Sequence, residues 1–127
     1  MEVFIQICEA LAHVHSKRSL HRDIKVKNVF LTRDLAVRVG DFGSAKLLGE
    51  RNDFARSVIG TPYYLRPELV REESYGQKSD VWGLACLLYY MCRKRVPFRA
   101  DTEWALKRRI TSGKRIYLVR WFCISVV

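Results

Sequence analysis

The first apolar pattern in the chain has the spacing of an α-helix. Four apolar residues follow one another at intervals of four, four and three positions: Val3, Ile7, Leu11 and Val14. Residues at this spacing line one face of a helix, so the pattern predicts a helix over residues 3–15 with that face in the core.

Two short runs of β-type residues come next, at Val29–Leu31 and Val37–Val39. The intervening residues 32–34 read TRD, which supplies turn chemistry, so the pattern predicts a small β-hairpin. Residues 44–61 then show little periodicity and contain glycine, asparagine and aspartate. This composition predicts an exposed loop, and such a loop suits a regulatory role.

Two capped helices are predicted in the second half of the chain. Ser79 and Asp80 precede a strongly apolar segment that runs through Met91, a pattern typical of an N-cap followed by a buried helix. The dipeptide Asp-Thr at 101–102 has the character of a cap for another helix over residues 104–111. We expect the tryptophan of each helix to lie in the core: Trp82 and Trp104.

The charge of the chain restricts its partners only weakly. Its 127 residues, enough for one modest domain, carry 23 Lys+Arg against 13 Asp+Glu, for a net charge of +10. Such an excess attracts nucleic acid or anionic membranes. The basic residues are scattered, however, and no zinc finger, aromatic RNA-binding signature or polybasic run accompanies them. Nucleic-acid binding is therefore kept only as the weakest alternative.

The cysteines indicate a reducing environment. Four of them stand far apart in the chain: Cys8, Cys86, Cys92 and Cys123. Without a Cys-x-x-Cys pair, reduced thiols in the core are favoured over a metal site, and a cytoplasmic or nuclear location is expected. The longest apolar stretches are too short for a bilayer and no basic leader precedes them, so we expect no membrane partner and no secretory signal.

Two charged motifs flank the predicted hairpin, and a third follows them. The first occupies residues 21–28 and reads HRDIKVKN, the second occupies 41–43 and reads DFG, and the third occupies 60–68 and reads GTPYYLRPE. Together they hold a candidate base, a phosphate-contacting cation and two oxygen ligands for magnesium, a minimal set for moving a phosphoryl group. Each motif alone is a weak signal, but their order and spacing make a strong one.

At these residues the chain resembles the C-terminal lobe of eukaryotic protein kinases. The GTPYY sequence followed by PE is most similar to the NIMA-related (Nek) serine/threonine kinases. The resemblance implies a mainly α (α+β) fold, the C-terminal lobe of the protein-kinase-like fold with a small β-hairpin and without the N-terminal lobe. Residues 1–114 would form this partial kinase domain, and residues 115–127 would form a divergent apolar tail.

The resemblance also implies roles in phosphoryl transfer. Asp23 would accept the proton of the substrate hydroxyl, and Lys25 would neutralise charge on the phosphoryl group delivered by ATP. Asn28 and Asp41 would hold Mg²⁺ through oxygen atoms, the ligand type that this cation prefers. Thr61 would contact Asp23 and Lys25 and shape the site for a serine or threonine of a protein substrate.

Further residues receive regulatory or structural roles from the resemblance. Arg22 would pair with a phosphate on the exposed loop, with Ser57 as the phosphorylated residue and an ordinary surface serine as the alternative. His21 is expected to pack and hydrogen-bond rather than to transfer protons. Asp80 would accept hydrogen bonds from the catalytic-loop backbone; a simple helix cap is the alternative, and the two roles are compatible.

The chain departs from the family pattern at both ends. No glycine-rich loop, no Val-Ala-x-Lys segment and no helix carrying a partner glutamate precedes His21. In the family, Glu68 pairs with an arginine on a later helix, but nothing after Gly113 resembles that region. Arg66 also replaces the usual small residue. We therefore expect a fragment, a truncated gene product or a misread frame.

Two hypotheses of different classes follow. The first is a serine/threonine kinase by descent, with ATP and protein substrates as partners, whose isolated chain transfers phosphate poorly or not at all. The second is a non-catalytic lobe that acts as a binding or regulatory module. The intact set of catalytic residues favours the first, and the missing lobe with the apolar tail favours the second.

Overall fold

The computed structural model describes residues 2–47, 62–71, 73 and 75–112. Ser57, Thr61 and the tail 115–127 lie outside the described residues, so the predictions made for them stay predictions. No helix among the described residues has both the length and the apolar character needed to cross a bilayer.

The described chain is mainly helical, as expected. Its helices are α1 (Glu2–Ser16), α2 (Pro67–Val70), α3 (Gln77–Arg93) and α4 (Glu103–Thr111). Its strands are β1 (Ser19–Leu20), β2 (Val29–Leu31), β3 (Val37–Val39) and β4 (Lys46–Leu47). Three single turns of 3₁₀-helix, Val26–Asn28, Phe42–Ser44 and Pro62–Tyr64, link these elements.

Helix α1 confirms the first apolar pattern to within one residue at each end. Ile7 and Leu11 are 1% and 4% exposed and pack with Ile24 and Leu87 in one core cluster. The helix ends where the Ser16 hydroxyl donates to the carbonyl of His13 at 2.7 Å, satisfying one of the carbonyls that a helix end leaves free.

The predicted hairpin is present as the antiparallel pair β2–β3. Val29 pairs with Val39, Phe30 with Arg38 and Leu31 with Val37. The hairpin lies against α1, whose Gln6 side-chain oxygen accepts the backbone N–H of Val37 at 2.9 Å. A helix side chain thus satisfies a donor on the open edge of the ribbon.

A second antiparallel pair, β1–β4, was not predicted. Ser19 pairs with Leu47 and Leu20 with Lys46. Two residues are too few to show an alternating pattern, and β4 falls in the segment predicted to be loop. This pair ties the residues just before the first charged motif to those just after the second.

Helix α3 begins before the dipeptide that was predicted to cap it. The N-cap residue is Gly76, and the Ser79 hydroxyl accepts the backbone N–H of Gly76 at 3.3 Å from the first turn. Asp80 is therefore an internal residue of the helix, 1% exposed, and the expectation that it forms the cap was wrong. Its carboxylate is free to bond elsewhere.

A second core cluster joins α4 to the segment that follows α3 and to the first half of α3. Phe98, Leu106 and Ile110 form it, and Trp82 stacks on Phe98 with ring centroids 5.5 Å apart. The indole N–H of Trp82 donates to the carbonyl of Leu65 at 3.1 Å, which places this tryptophan in the core as expected.

The other expectations for this region have mixed outcomes. Thr102 caps α4 as predicted, its hydroxyl accepting the N–H of Ala105 at 3.2 Å. Trp104 is 69% exposed, so its expected place in the core was wrong. It precedes the buried Leu106 by two positions, which puts it about 200° away around the helix and on the opposite face. There the guanidinium of Arg108 lies over its ring at 5.5 Å.

The thiols of the described residues are free, but only one is fully in the core. Cys86 is 0% exposed, and burial raises the pKa of its thiol to about 12. Cys8 is half-buried, whereas Cys92 is exposed, so the prediction of core thiols was wrong for Cys92. Its position at the solvent side of the last turn of α3 leaves it open to water.

Helix α3 approaches the first charged motif more closely than a side chain would permit. A Cβ atom on Gly83 would lie 2.8 Å from the carbonyl oxygen of Ile24 and 3.0 Å from its Cβ. The oxygen belongs to the backbone, so it cannot move aside as a flexible side chain can. Glycine at position 83 is therefore required by the packing of α3 beneath this loop.

We predict that Gly83→Ala lowers the free energy of unfolding by about 1–3 kcal/mol, because the steric cost exceeds the gain of up to about 1 kcal/mol in helix propensity. Denaturant unfolding followed by circular dichroism measures the change. Gly76→Ser is the matched control, since Gly76 has no atom within 4 Å of its Cβ position and serine is a favourable N-cap residue. Equal stability of the two variants would contradict the close approach.

Candidate active site

The first charged motif is held by the carboxylate of Asp80. One oxygen, Oδ2, accepts the backbone N–H of His21 at 2.9 Å, and Oδ1 accepts that of Arg22 at 2.8 Å. Between these bonds Arg22 has φ 70°, in the left-handed region that costs a residue other than glycine about 1–3 kcal/mol. The expected contact of Asp80 with this backbone is therefore present, and it fixes a strained conformation.

Two more donors reach the same carboxylate. The hydroxyl of Tyr75 donates to Oδ1 at 2.5 Å, and Nε2 of His15 donates to Oδ2 at 2.9 Å. Burial acts to raise the pKa of Asp80, but these hydrogen bonds, with those from the two backbone N–H groups, hold the pKa below its ordinary value. Burial and the adjacent negative charge raise the pKa of Tyr75, which stays a donor.

Arg66 completes the support of the strained residue. Its Nη1 atom donates to the carbonyl of Arg22 at 2.7 Å, so both peptide groups around Arg22 are hydrogen-bonded. The guanidinium of Arg66 lies 4.5 Å from the ring centroid of Tyr75, and that of Arg22 lies 5.3 Å from it. The arginine that looked like a departure from the family pattern is thus part of the site.

Arg66 is also the neighbour of Glu68. Its Nε atom lies 3.9 Å from Oε1 of Glu68, too far for a hydrogen bond, and both atoms are buried without a hydrogen-bond partner. The region after Gly113, where the family's arginine partner would lie, is outside the described residues, so the expectation that Glu68 lacks this partner stays a prediction. Within the described residues Glu68 has a long, local ion pair with Arg66.

The next residues of the motif converge on Asp23. Its Oδ2 atom accepts the ammonium of Lys25 at 2.5 Å and Nδ2 of Asn28 at 3.0 Å. Nδ2 of Asn28 donates as well to the carbonyl of Asp23 at 2.8 Å. Because Asn28 is 4% exposed and its amide nitrogen is fully used, its orientation is fixed, with Oδ1 left for another partner.

His21 links this loop to the second motif. The backbone N–H of Asp23 donates to Nδ1 of His21 at 3.3 Å, so Nδ1 is the acceptor and Nε2 carries the proton. Nε2 donates in turn to the carbonyl of Gly40 at 3.1 Å, and the ring packs on Phe42 with centroids 4.7 Å apart. His21 is 0% exposed, and these contacts agree with its expected structural role.

The hairpin brings the second motif beside the first. The N–H of Gly40 donates to the carbonyl of Asn28 at 2.9 Å, which extends the β2–β3 ladder by one step and sets Asp41 next to that end. Asp41 has φ 63°, a second left-handed residue, and its side chain is exposed. Asn28 and Asp41 therefore lie at the same end of the ribbon.

Comparison with known proteins decides the family. A family model described as "Protein kinase domain" matches residues 1–123. The chain belongs to the protein kinase family. The matched range runs past residue 114, and the domain boundary predicted there stays a prediction.

Its relatives include several Nek kinases. The chain is 48% identical over 113 residues to mouse "Serine/threonine-protein kinase Nek1", covering 89% of this chain and 9% of that protein. It is 49% identical over 110 residues to mouse "Serine/threonine-protein kinase Nek3", covering 87% and 22%. For mouse "Serine/threonine-protein kinase Nek4" the identity is 46% over 114 residues, covering 90% and 14%. The chain thus spans less than a quarter of the length of these relatives.

The residues of this kinase domain fit a bound magnesium ion. Protein kinases use Mg²⁺ that is held by few protein oxygens and by the phosphates of ATP. Oδ1 of Asn28 has no protein donor among the described residues, and the carboxylate of Asp41 is exposed beside it along the ribbon. No group of three His, Cys, Asp or Glu side chains in the described ranges is placed to hold a metal ion.

The structure brings some of the predicted site residues together and adds three supporting residues that were not predicted. Asp23, Lys25 and Asn28 are brought into direct contact, and His21, Arg22, Asp41 and Asp80 surround them. Ser57 and Thr61 lie outside the described residues. His15, Tyr75 and Arg66 were not foreseen as partners of Asp80 and Arg22. The only signal for any of them was Arg66 at a position where the family has a small residue.

We predict that Asp80→Asn lowers the free energy of unfolding by at least about 2 kcal/mol at pH 5, because an amide cannot accept from four donors around it. The pKa of Asp80 is lower in the folded chain, so its contribution is complete above the ordinary value near 3.8 and is lost as pH falls through the folded pKa. Denaturant unfolding from pH 5 downward should show the two proteins converging below about pH 4. A difference that stays constant over that range would contradict the assignment.

We predict that Arg66→Gln lowers the free energy of unfolding by about 2 kcal/mol, since it removes a charge-assisted bond to a backbone carbonyl and the contact with the Tyr75 ring. Arg71→Gln is the matched control. Among the described residues the Arg71 side chain makes only an exposed pair with Glu73 at 4.0 Å, so its loss should cost less than about 0.5 kcal/mol. Thermal or denaturant unfolding compares the two, and equal effects would show that Arg66 has no special role.

Proposed function

We propose that this chain is the catalytic lobe of a serine/threonine protein kinase. The observation that carries the proposal is the convergence of Lys25 and Asn28 on one oxygen of Asp23, in a loop whose backbone Asp80 fixes. A carboxylate, a cation and an amide held within one hydrogen-bonded group are the parts that phosphoryl transfer requires on the protein side. The membership in the family and the Nek relatives support the same function.

The geometry supports a separate role in phosphoryl transfer for each of these residues. Asp23 orients the acceptor hydroxyl and takes its proton. Its Oδ1 atom has no protein donor among the described residues and is therefore open to that hydroxyl. The ammonium of Lys25 lies against that carboxylate and is placed to neutralise negative charge on the transferred group. Asn28 and Asp41 would hold Mg²⁺, which would supply positive charge to orient and screen the phosphates of ATP.

Regulation through the loop before Pro62 is part of the proposal. A phosphate on Ser57 would pair with Arg22, and Thr61 would contact Asp23 and Lys25 near a serine or threonine of the substrate. The guanidinium groups of Arg22 and Arg66 both lie against Tyr75, so two positive charges stand on one side of the strained loop. This arrangement supports an anion partner for Arg22.

We place the protein near the Nek kinases, with ATP and protein substrates as its partners. The 127 residues themselves hold no glycine-rich loop and no lysine segment to grip the α- and β-phosphates. We therefore expect phosphate transfer by this chain alone to be near background. The catalytic residues then need a nucleotide-binding lobe to act.

A binding or regulatory role is the second candidate. Three large apolar side chains of the hairpin are exposed: Phe30 at 53%, Leu31 at 54% and Leu35 at 66%. Exposed apolar side chains grouped on one small ribbon mark a contact surface. Such a surface fits either a nucleotide-binding lobe or another kinase chain.

The proposed function is tested by joining the chain to the nucleotide-binding lobe of mouse Nek1 and measuring transfer from labelled ATP to a generic basic protein. We predict that the chimera is active. Asp23→Asn should lower its rate of transfer at least about 100-fold, since a positioned base contributes about 10²–10⁴-fold. Asp101→Asn, the same change at an exposed residue, should leave the rate unchanged.

A folded chimera without activity would contradict the kinase assignment. Activity that survives Asp23→Asn would contradict the role of Asp23. Strong Asp23-dependent transfer by the 127-residue chain alone would support the kinase function and overturn the expectation that it needs a second lobe. A stable, ATP-independent complex of an inactive chain with another kinase would favour the binding role instead.

A further inference from the structure

A basic cavity is lined by residues from the turn Pro62–Tyr64, the segment after α3 and helix α4. Its volume is about 520 Å³, within the range of pockets that bind small groups. Its lining combines one aromatic residue with four cations: Tyr63, Lys94, Arg95, Arg99 and Arg109. The proposed transfer chemistry uses none of these residues.

The cavity is framed by anchored segments. Helix α3 ends at Lys94, which has φ 55° and whose N–H donates to the carbonyl of Tyr90 at 2.7 Å. Phe98 and Ile110 are buried in one cluster and hold the chain beside Arg99 and Arg109. The guanidinium of Arg109 also donates to the carbonyl of Arg99. Packing thus fixes the backbone that carries these four residues, and their side chains are exposed to solvent.

The four cations have no acidic partner among the described residues. None of the ion pairs found there includes them. The nearest carboxylate on α4, that of Glu103, is paired with Lys107 at 2.7 Å. Four like charges around one concave surface repel one another and raise the local potential for anions. Scattered basic residues on a solvated surface would not share one cavity.

The form of the cavity favours an anionic side chain over nucleic acid. A duplex is bound by cations spread along a face that follows successive phosphates. Here the charges surround a single hollow, and clustered arginines are the usual partners of a phosphate or of neighbouring carboxylates. Tyr63 belongs to the third motif, residues 60–68, which also contains Thr61, so along the chain the cavity lies two residues from a residue proposed to shape the substrate site.

We propose that this cavity binds an anionic group of the protein segment to be phosphorylated, either a phosphoserine or a run of carboxylates near the acceptor residue. The inference rests on the proposed function for its link to a substrate, but binding itself needs neither ATP nor catalysis. It defines a substrate class for this chain: segments that are acidic or already phosphorylated.

The test measures binding of labelled peptides to the full chain by fluorescence anisotropy without ATP. Each peptide contains one acceptor serine, and a phosphoserine or a Glu-Glu-Glu run is stepped through the flanking positions; a neutral peptide with glutamine at those positions is the reference. We expect at least one anionic register to bind about tenfold or more tightly than the neutral peptide, with affinity falling as salt rises. The phosphoserine and glutamate series distinguish the two sources of charge.

Matched double variants assign the effect to the cavity. Arg95→Gln with Arg99→Gln removes two exposed lining charges, and Arg33→Gln with Arg38→Gln removes two exposed charges on the hairpin. The first should abolish the tenfold preference, and the second should preserve it. Circular dichroism confirms that both remain folded.

Several results would overturn the proposal. These are equal binding of anionic and neutral peptides, equal losses in the two double variants, or preferential binding of a duplex DNA oligonucleotide that competes with the peptides. Repeating the assay with Asp23→Asn separates this inference from the proposed function. A retained preference in that variant supports the cavity whatever the outcome for catalysis, and an active kinase without the preference rejects the cavity alone.

Discussion

One buried carboxylate connects the fold of this chain to its chemistry. Asp80 accepts four hydrogen bonds, from the backbone of His21 and Arg22 and from the side chains of Tyr75 and His15. Taking a charge out of water is costly, and a full set of donors offsets that cost only if all are in place. Because the donors come from three parts of the chain, the carboxylate holds α1, the start of α3 and the catalytic loop together.

The strain stored at Arg22 explains how this interaction serves the site. A left-handed residue between His21 and Asp23 redirects the chain so that Asp23, Lys25 and Asn28 meet at one oxygen. Glycine at position 83 lets α3 lie directly beneath the loop. The ring of His21 hydrogen-bonds to the carbonyl of Gly40 and so connects the loop to the second motif. Packing of one helix against one loop thus sets the position of the whole polar group.

Local patterns in the sequence predicted the elements that depend on local physics. The spacing of Ile7 and Leu11 predicted α1, and the turn between two β-type runs predicted the hairpin. Thr102 was predicted as the cap of α4. The order of the motifs singled out Asp23, Lys25 and Asn28, which the structure brings into contact. The bonds of Asp80 to Tyr75 and His15 join residues up to 65 positions apart. No periodicity encodes such a contact, so the same aspartate looked like a helix cap, and Trp104 looked like a core residue.

The rate of hydrogen exchange at the amides of His21 and Arg22 directly tests whether Asp80 anchors this loop. His21 and Arg22 lie outside any helix or strand, and within the described part of the chain their N–H groups bond only to the carboxylate of Asp80. We predict that NMR-detected exchange of both amides is as slow as in the buried part of α3 and becomes fast in Asp80→Asn. Exchange as fast as that of the exposed turn residue Arg33 in the unaltered chain would contradict it.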